Sequence, residues 1–561
     1  MRRLPENSTL QFLVLFRQFL LRVIDLEALS IQADVIGFLG QFAGVLIMLS
    51  MIHAVRAYVF IPRSPWYIEQ YLIETMMLVV GLIAIISWDT TFPDRQDVLI
   101  LAPLPVAPRT ILFAKIAASA ALVGLAILAL NFAPGFVGPL RLATQRGSSW
   151  FFFQSLAAYW FTMIAASVFL YCSVLAVQGL TALLLPRRLF LRVSAFLQVA
   201  AFTLFLGVYF LQSSVATATG MAASKNHWLL ASSPSFWFFA LFNQLNGSLP
   251  ADLVWLARRA WIGLAVAVLG ASTSLLLCYL RTMKRTVGEP DLMPGARGSH
   301  QLPRFGSSLQ AAIVLFSVRS LTRSRPHRVA FAFFLAVVFA IALSSVKAAL
   351  SIPAPRPLTA DYMMSTLVMM NLAVVGLRGV FSLPISLKAN WVLRVTQLFS
   401  SDKYILGTRR TLLLLGALPI WLCAGLLSLL FRPLHESAIH LVVLALVGFI
   451  MTDLSLIGVS KIPFACSYLP GKSNVQYMFW AFLIIVVPIA ISFSMYEQRA
   501  LHNPLQFASM IGVLGAIAMT LWLFNRRQAK SAVLYFEELP PELITTLGLS
   551  SARPSEAKTF S

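Results

Sequence analysis

The chain is 561 residues long, 59% hydrophobic and only 11% charged, with a formal net charge of +22. A soluble domain of that length has too little interior to hide so much apolar surface, so the composition excludes a soluble globular enzyme and points to a polytopic membrane protein. The basic excess then belongs to loops beside anionic lipid, not to nucleic acid, for which no motif is present.

Residues 11–28 alternate apolar positions with Arg17, Arg22, Asp25 and Glu27, the pattern of an amphipathic helix lying in the membrane interface. These charges interrupt any signal-peptide core. Spans are predicted at about 35–60, 71–88, 111–132, 151–184, 193–212 and 261–280. Between the second and third lies 92–115, a polar-ended loop broken by Pro103, Pro105 and Pro108. A Gly/Pro-rich loop with Arg141 and Arg146 follows the third span, a basic loop at 186–192 the fourth. An aromatic stretch near 233–245 reads as a segment dipping into the interface.

The Gly/Pro-rich run 283–308 reads as a linker. It divides a first membrane unit, 1–282, from a second, 309–526, with a polar cytoplasmic tail at 527–561. The second unit also opens on a basic amphipathic helix, 309–328. Its spans are predicted at about 329–350, 362–387, 411–430, 438–459, 475–493 and 505–524. With the N-terminus inside, cytoplasmic segments hold 31 of the 43 Lys and Arg residues and outer segments nine, which favours both termini in the cytoplasm.

A shift of 294 residues lays 98–115 on 392–409 with five of 18 positions identical; Arg109 falls on Lys403 and Lys115 on Arg409. Both segments join the second and third spans of their unit. The expected fold is therefore an all-α membrane protein of twelve transmembrane helices in two parallel six-helix repeats, with amphipathic interfacial helices.

Several side chains stand out. Arg378 and Asp453 lie inside apolar runs and are candidates for an intramembrane ion pair. Glu74 and Lys347 are expected to snorkel to the headgroups. Cys172, Cys278, Cys423 and Cys466 form no CxxC or Cys/His pattern, so neither disulfide nor metal site is expected. The string PGKS at 470–473 lacks the first glycine of a phosphate-binding loop; Cys466 stands there. Its loop, 461–474, reads instead as a second cytoplasmic contact surface.

LAPLPVAPRTILFAK, residues 101–115, resembles the first cytoplasmic loop of ATP-binding cassette (ABC) type-2 transporter permeases. Leu104, Pro105, Val106, Arg109, Ala114 and Lys115 carry the resemblance, and the aromatic stretch resembles that family's last outer loop. The resemblance implies an exporter permease of a bacterial inner membrane and no enzyme activity in this chain. Leu104, Pro105, Val106, Arg109 and Lys115 would form a loop docking on a separate ATPase subunit, present in two copies. Leu398, Lys403 and Arg409 would form a second, diverged docking loop. The chain would bind no cofactor; ATP and magnesium would sit on the partner, and the transported substrate is not implied. Two alternatives remain open. One is a twelve-span secondary transporter, against which buried carboxylates are scarce. The other is a membrane transferase, against which Glu69, Asp252, Asp361, Glu436 and Glu497 are isolated, one per loop.

Overall fold

The computed structural model describes residues 8–23, 35–56, 58, 65–88, 106–147, 149–211, 221, 223, 226–285, 308–350, 358–383, 401–457, 464 and 485–531. Among the described residues all regular structure is helical. In the first unit α1 spans Ser8–Val23, α2 Val35–Val55, α3 Pro65–Ile86, α4 Pro108–Leu130, α5 Pro134–Arg146, α6 Ser149–Leu184, α7 Arg187–Phe210, α8 His227–Ser232, α9 Pro234–Leu245 and α10 Val254–Arg285. In the second, α11 spans Ser308–Arg323, α12 Arg325–Leu350, α13 Ala360–Val380, α14 Ser401–Leu412, α15 Leu418–Phe431, α16 Leu434–Ser455, α17 Val487–Ala500 and α18 Pro504–Ser531. A π turn, Leu413–Ala417, joins α14 to α15.

Nine helical segments among the described residues are long and apolar enough to cross a bilayer. They carry outward-facing side chains such as Leu505, Val513, Val266 and Leu269, each more than half exposed. Apolar surface of that extent fits lipid, not water. The chain is an integral membrane protein. The apolar runs at 35–60, 193–212 and 475–493 correspond to α2, α7 and the described part of α17, which fall outside those nine.

Proline sets several of the starts. Pro108 opens α4 with Ala107 extended before it, and Pro234 opens α9 in the same way. A proline in the first turn forfeits only an amide that has no intrahelical partner, and its φ already suits a helix. The third proline of 92–115 therefore begins the next helix.

Three local expectations change. The basic segment 186–192 is not a loop, because Arg187 already begins α7 behind an extended Pro186. The Gly/Pro-rich stretch after the third span is a helix, α5, despite its internal Pro139. A Cβ at Gly135 would sit 2.9 Å from Trp160, and one at Gly138 2.7 Å from the Tyr58 hydroxyl, so these glycines let α5 press onto its neighbours. Packing there overrides the poor helix propensity of glycine and proline. The aromatic stretch is a helix packed inside the bundle. In α9 Phe236, Phe238, Phe239, Leu241 and Phe242 are all buried, against α3, α6 and α10.

Each unit has its own core. In the first, Met76 and Val80 of α3 lie with Met163 and Ala166 of α6 and the phenylalanines of α9. In the second, Met370 and Val374 of α13 lie with Ala424 of α15 and Val443 and Leu444 of α16. The units meet where α7 packs on α12: Phe202 and Leu206 pack with Ala336 and Ala340, and Phe202 and Phe333 meet edge to face at 5.6 Å.

Phe464, between α16 and α17, has a positive φ of 62° although it carries a bulky side chain. Such a conformation persists only where the surroundings over-determine it. Its amide donates to the Phe381 carbonyl at 2.9 Å, and its ring, 1% exposed, meets Phe316, His327 and Phe381. It thereby fastens the segment after α16 to α11, α12 and the end of α13. Phe464→Ala is expected to cost about 3–5 kcal/mol through the cavity it leaves. Thermal unfolding of the detergent-solubilised chain would measure the loss.

Candidate functional site

The candidate site is built where the two inter-span loops run into α4 and α14. Leu104, Pro105 and Leu398 lie outside the described residues. From Val106 onward the first segment is placed. Helix α1 lies along α4, with Leu15 and Phe19 buried against Ile111, Ala114 and Ala118, and Val106 packed beside them. The small side chain of Ala114, fully buried, lets the two helices approach.

The two cations of the first segment have different environments. Arg109, in the first turn of α4, is exposed. Lys115, two turns further, is 3% exposed, with its ammonium 5.1 Å from the centroid of the Phe19 ring. Lys115 therefore anchors α1 to α4 through a cation–π contact, and only Arg109 presents its charge outward.

The second segment repeats this division. Helix α11 lies along α14, and a Cβ on Gly407 would come within 2.8 Å of Ile313, so the glycine permits the close approach. Lys403, in the first turn of α14, is exposed. Arg409, two turns further, points inward. Its Nε donates to Asp453 Oδ1 at 2.6 Å and its Nη2 to Oδ2 at 2.9 Å. The Asp453 side chain is 1% exposed and that of Arg409 20%.

The bidentate partner of Asp453 is thus Arg409 and not Arg378, although Arg378 and Asp453 are the two ionisable residues inside apolar runs. Arg378 uses its Nε on the Ser455 carbonyl at 3.1 Å, two residues past the carboxylate. The Asn525 side chain donates to the Asp453 carbonyl at 2.7 Å. One end of α16 is therefore held by α13, α14 and α18 together. Beside it Arg409, Arg526 and Lys530 border a cavity of about 110 Å³, and the Arg526 guanidinium stacks 5.3 Å over Trp522. Basic groups and a stacked ring suit acidic side chains or phosphate. Of the second contact surface, 461–474, only Phe464 is described.

Several polar groups also have partners that the sequence pattern did not indicate. Glu74 does not snorkel: it is 7% exposed and accepts from Gln70 Nε2 at 2.9 Å. His440 and Glu497, both fully buried, meet at 2.7 Å. Glu69 of α3 accepts from Asn243 of α9 at 3.1 Å. Lys347 reaches the Leu211 carbonyl across the junction of the units at 3.0 Å. Among the described residues no three His, Cys, Asp or Glu groups converge as metal ligands. Cys172, Cys278 and Cys423 form no disulfide among the described residues.

No family model, curated protein or solved structure matches the chain.

Proposed function

We propose that this chain is the membrane-spanning permease subunit of an ATP-driven ABC exporter, two fused six-span units in a bacterial inner membrane with both termini in the cytoplasm. The segments entering α4 and α14 couple it to two copies of a separate ATPase subunit, which carries ATP and magnesium. The observation that carries the reading is the shared division of charge. In each segment the first-turn cation, Arg109 or Lys403, is exposed, while the cation two turns on, Lys115 or Arg409, is tied into the bundle. An outward charge on a rigidly anchored helix start is what a partner needs if its movement is to reach the membrane spans. Helices α1 on α4 and α11 on α14 supply the same brace in both units, and this supports the two-repeat fold.

Arg109→Glu combined with loss of Pro105 is expected to abolish co-purification of the ATPase while leaving the unfolding midpoint unchanged, because exposed substitutions perturb stability little. Lys115→Glu is expected to do the reverse first, lowering the midpoint by uncoupling α1 from α4. Recovery of the ATPase on affinity-tagged permease and thermal unfolding of the same preparations read the two effects separately. ATP hydrolysis by the purified chain alone would overturn the assignment.

One observation favours a second reading, a proton-coupled secondary transporter. Glu74, Asp453 and Glu497 are buried carboxylates, more than the apolar runs alone implied. Substrate flux in proteoliposomes driven by a proton gradient without ATP would select that reading.

A further inference from the structure

A partly open, mainly apolar cavity with a few polar groups lies in the first unit, at the end of α3 remote from the 92–115 loop, and the coupling surface has no part in it. Its volume is about 230 Å³, far above the ~10–15 Å³ that one water requires. Helices α3, α5, α6 and α9 enclose it, with Tyr58, Glu69, Arg141, Tyr159, Thr162 and Phe242 among its walls.

Two groups in it lack what burial demands. Glu69 uses Oε2 to accept from Asn243, and among the described residues none makes an ion pair with it. Thr162 is 1% exposed and, among the described residues, its hydroxyl has no hydrogen-bond partner. A half-buried carboxylate beside apolar walls favours a compensating positive charge, and a buried hydroxyl needs a partner. The rings complete the picture. Tyr159 and Phe242 meet edge to face at 6.4 Å, and the Tyr159 hydroxyl is spent on Asn131 at 2.8 Å, leaving the ring as its contribution to the wall. Aromatic faces beside a carboxylate form a receptor for an organic cation. Arg141 stands at the exposed side, its guanidinium 5.7 Å over Tyr58, where it would meet an anion next to that cation.

We propose that this cavity binds a primary ammonium group with an adjacent phosphate, the chemistry of a phosphoethanolamine head. The ammonium donates to Glu69 Oε1 and to the Thr162 hydroxyl, the rings of Tyr159 and Phe242 flank it, and the phosphate lies toward Arg141. A trimethylated head has no N–H to give to Glu69 or Thr162, so the site discriminates against it. The inference needs only a chain in a membrane and holds whether or not an ATPase couples to it.

The test uses the full chain reconstituted in phosphatidylglycerol nanodiscs. Phosphatidylethanolamine, phosphatidylcholine or soluble phosphoethanolamine is titrated in, with thermal unfolding and native mass spectrometry as readouts. Phosphatidylethanolamine is expected to raise the unfolding midpoint and to remain bound on ejection from the disc. Glu69→Gln and Thr162→Val should each weaken that retention at least tenfold while the ligand-free midpoint stays in place. Response to soluble phosphoethanolamine but not to the lipid would assign the site to a free ligand of the same chemistry. Equal response to phosphatidylcholine, or retention by Glu69→Gln equal to that of the unsubstituted chain, would overturn the proposal and leave a hydrated structural cavity.

Discussion

Arg409→Ala should lower the stability of the second unit by about 3–5 kcal/mol, because removing one partner of a buried ion pair strands the other. The stranded group is Asp453, with 1% of its side chain exposed. Arg409 itself retains a 20% exposed side chain, so Asp453→Ala, which leaves a guanidinium able to reach solvent, should cost less. The double variant Arg409→Met with Asp453→Leu should recover most of the loss, since it removes both charges and fills the space. Arg409→Lys should not rescue, because an ammonium cannot reproduce two parallel N–H donors to one carboxylate. Thermal unfolding of the double variant with its matched singles, Arg409→Met and Asp453→Leu, gives a double-mutant cycle. Additive losses would show that the pair is not a coupled unit.

This pairing is only half legible in the sequence. Asp453 was conspicuous as a charge in an apolar run, but nothing local named its partner. Arg378 looked suitable because it too sits in an apolar run. The 294-residue shift had already laid Arg409 on Lys115, and that alignment carried the missing signal: both are the inward cation two turns into the helix. The existence of the nine long apolar helices is legible, because lipid demands long apolar runs and any such run must satisfy its own backbone. Residues governed by packing are less so. Helix α5 contains Gly135, Gly138 and Pro139, which local propensity assigns to a loop, and it becomes a helix only because Trp160 and Tyr58 lie within reach of those glycines. The composition of α9 suits a membrane interface as well as a protein interior, so its burial against α3, α6 and α10 is not legible in the sequence. The structural counterpart of α9 is α17. A shift of 254 residues lays Pro234, Gln244 and Pro250 on Pro488, Gln498 and Pro504. The same shift lays Asn243 on Glu497, so each unit places a polar side chain of a short Pro-initiated helix into its core: Asn243 meets Glu69 in one, Glu497 meets His440 in the other. Glu69 and Glu497 stand one per loop in the sequence, and each is partnered by a residue far away in the chain, Asn243 and His440, neither of them an acid.

Glu497→Gln should leave the second unit within about 1 kcal/mol of its original stability, whereas Glu497→Ala should destabilise it by about 3 kcal/mol. The contrast follows from the hydrogen-bond directions. The Thr366 hydroxyl donates to the Met363 carbonyl at 2.8 Å, so its oxygen can only accept from His440 Nε2, 2.9 Å away. His440 Nε2 therefore carries a proton. The contact between His440 Nδ1 and Glu497 Oε1, at 2.7 Å, then holds one proton between two heavy atoms. It is either a neutral carboxyl donating to a neutral ring or a carboxylate accepting from an imidazolium, and both leave the pair with no net charge. Glutamine preserves the first arrangement, its amide N–H donating to the ring nitrogen. Alanine removes the donor, leaves Nδ1 unpaired in a fully buried site and opens a cavity. His440→Ala should be the most damaging of the three, at about 3–5 kcal/mol, because Glu497 would be left without its partner while its second oxygen has none among the described residues. Unfolding midpoints ranked Gln, then Ala at 497, then Ala at 440 are the expected outcome. A glutamine variant as damaged as the alanine one would mean that a full negative charge on Glu497, balanced by an imidazolium, holds α16 and α17 together.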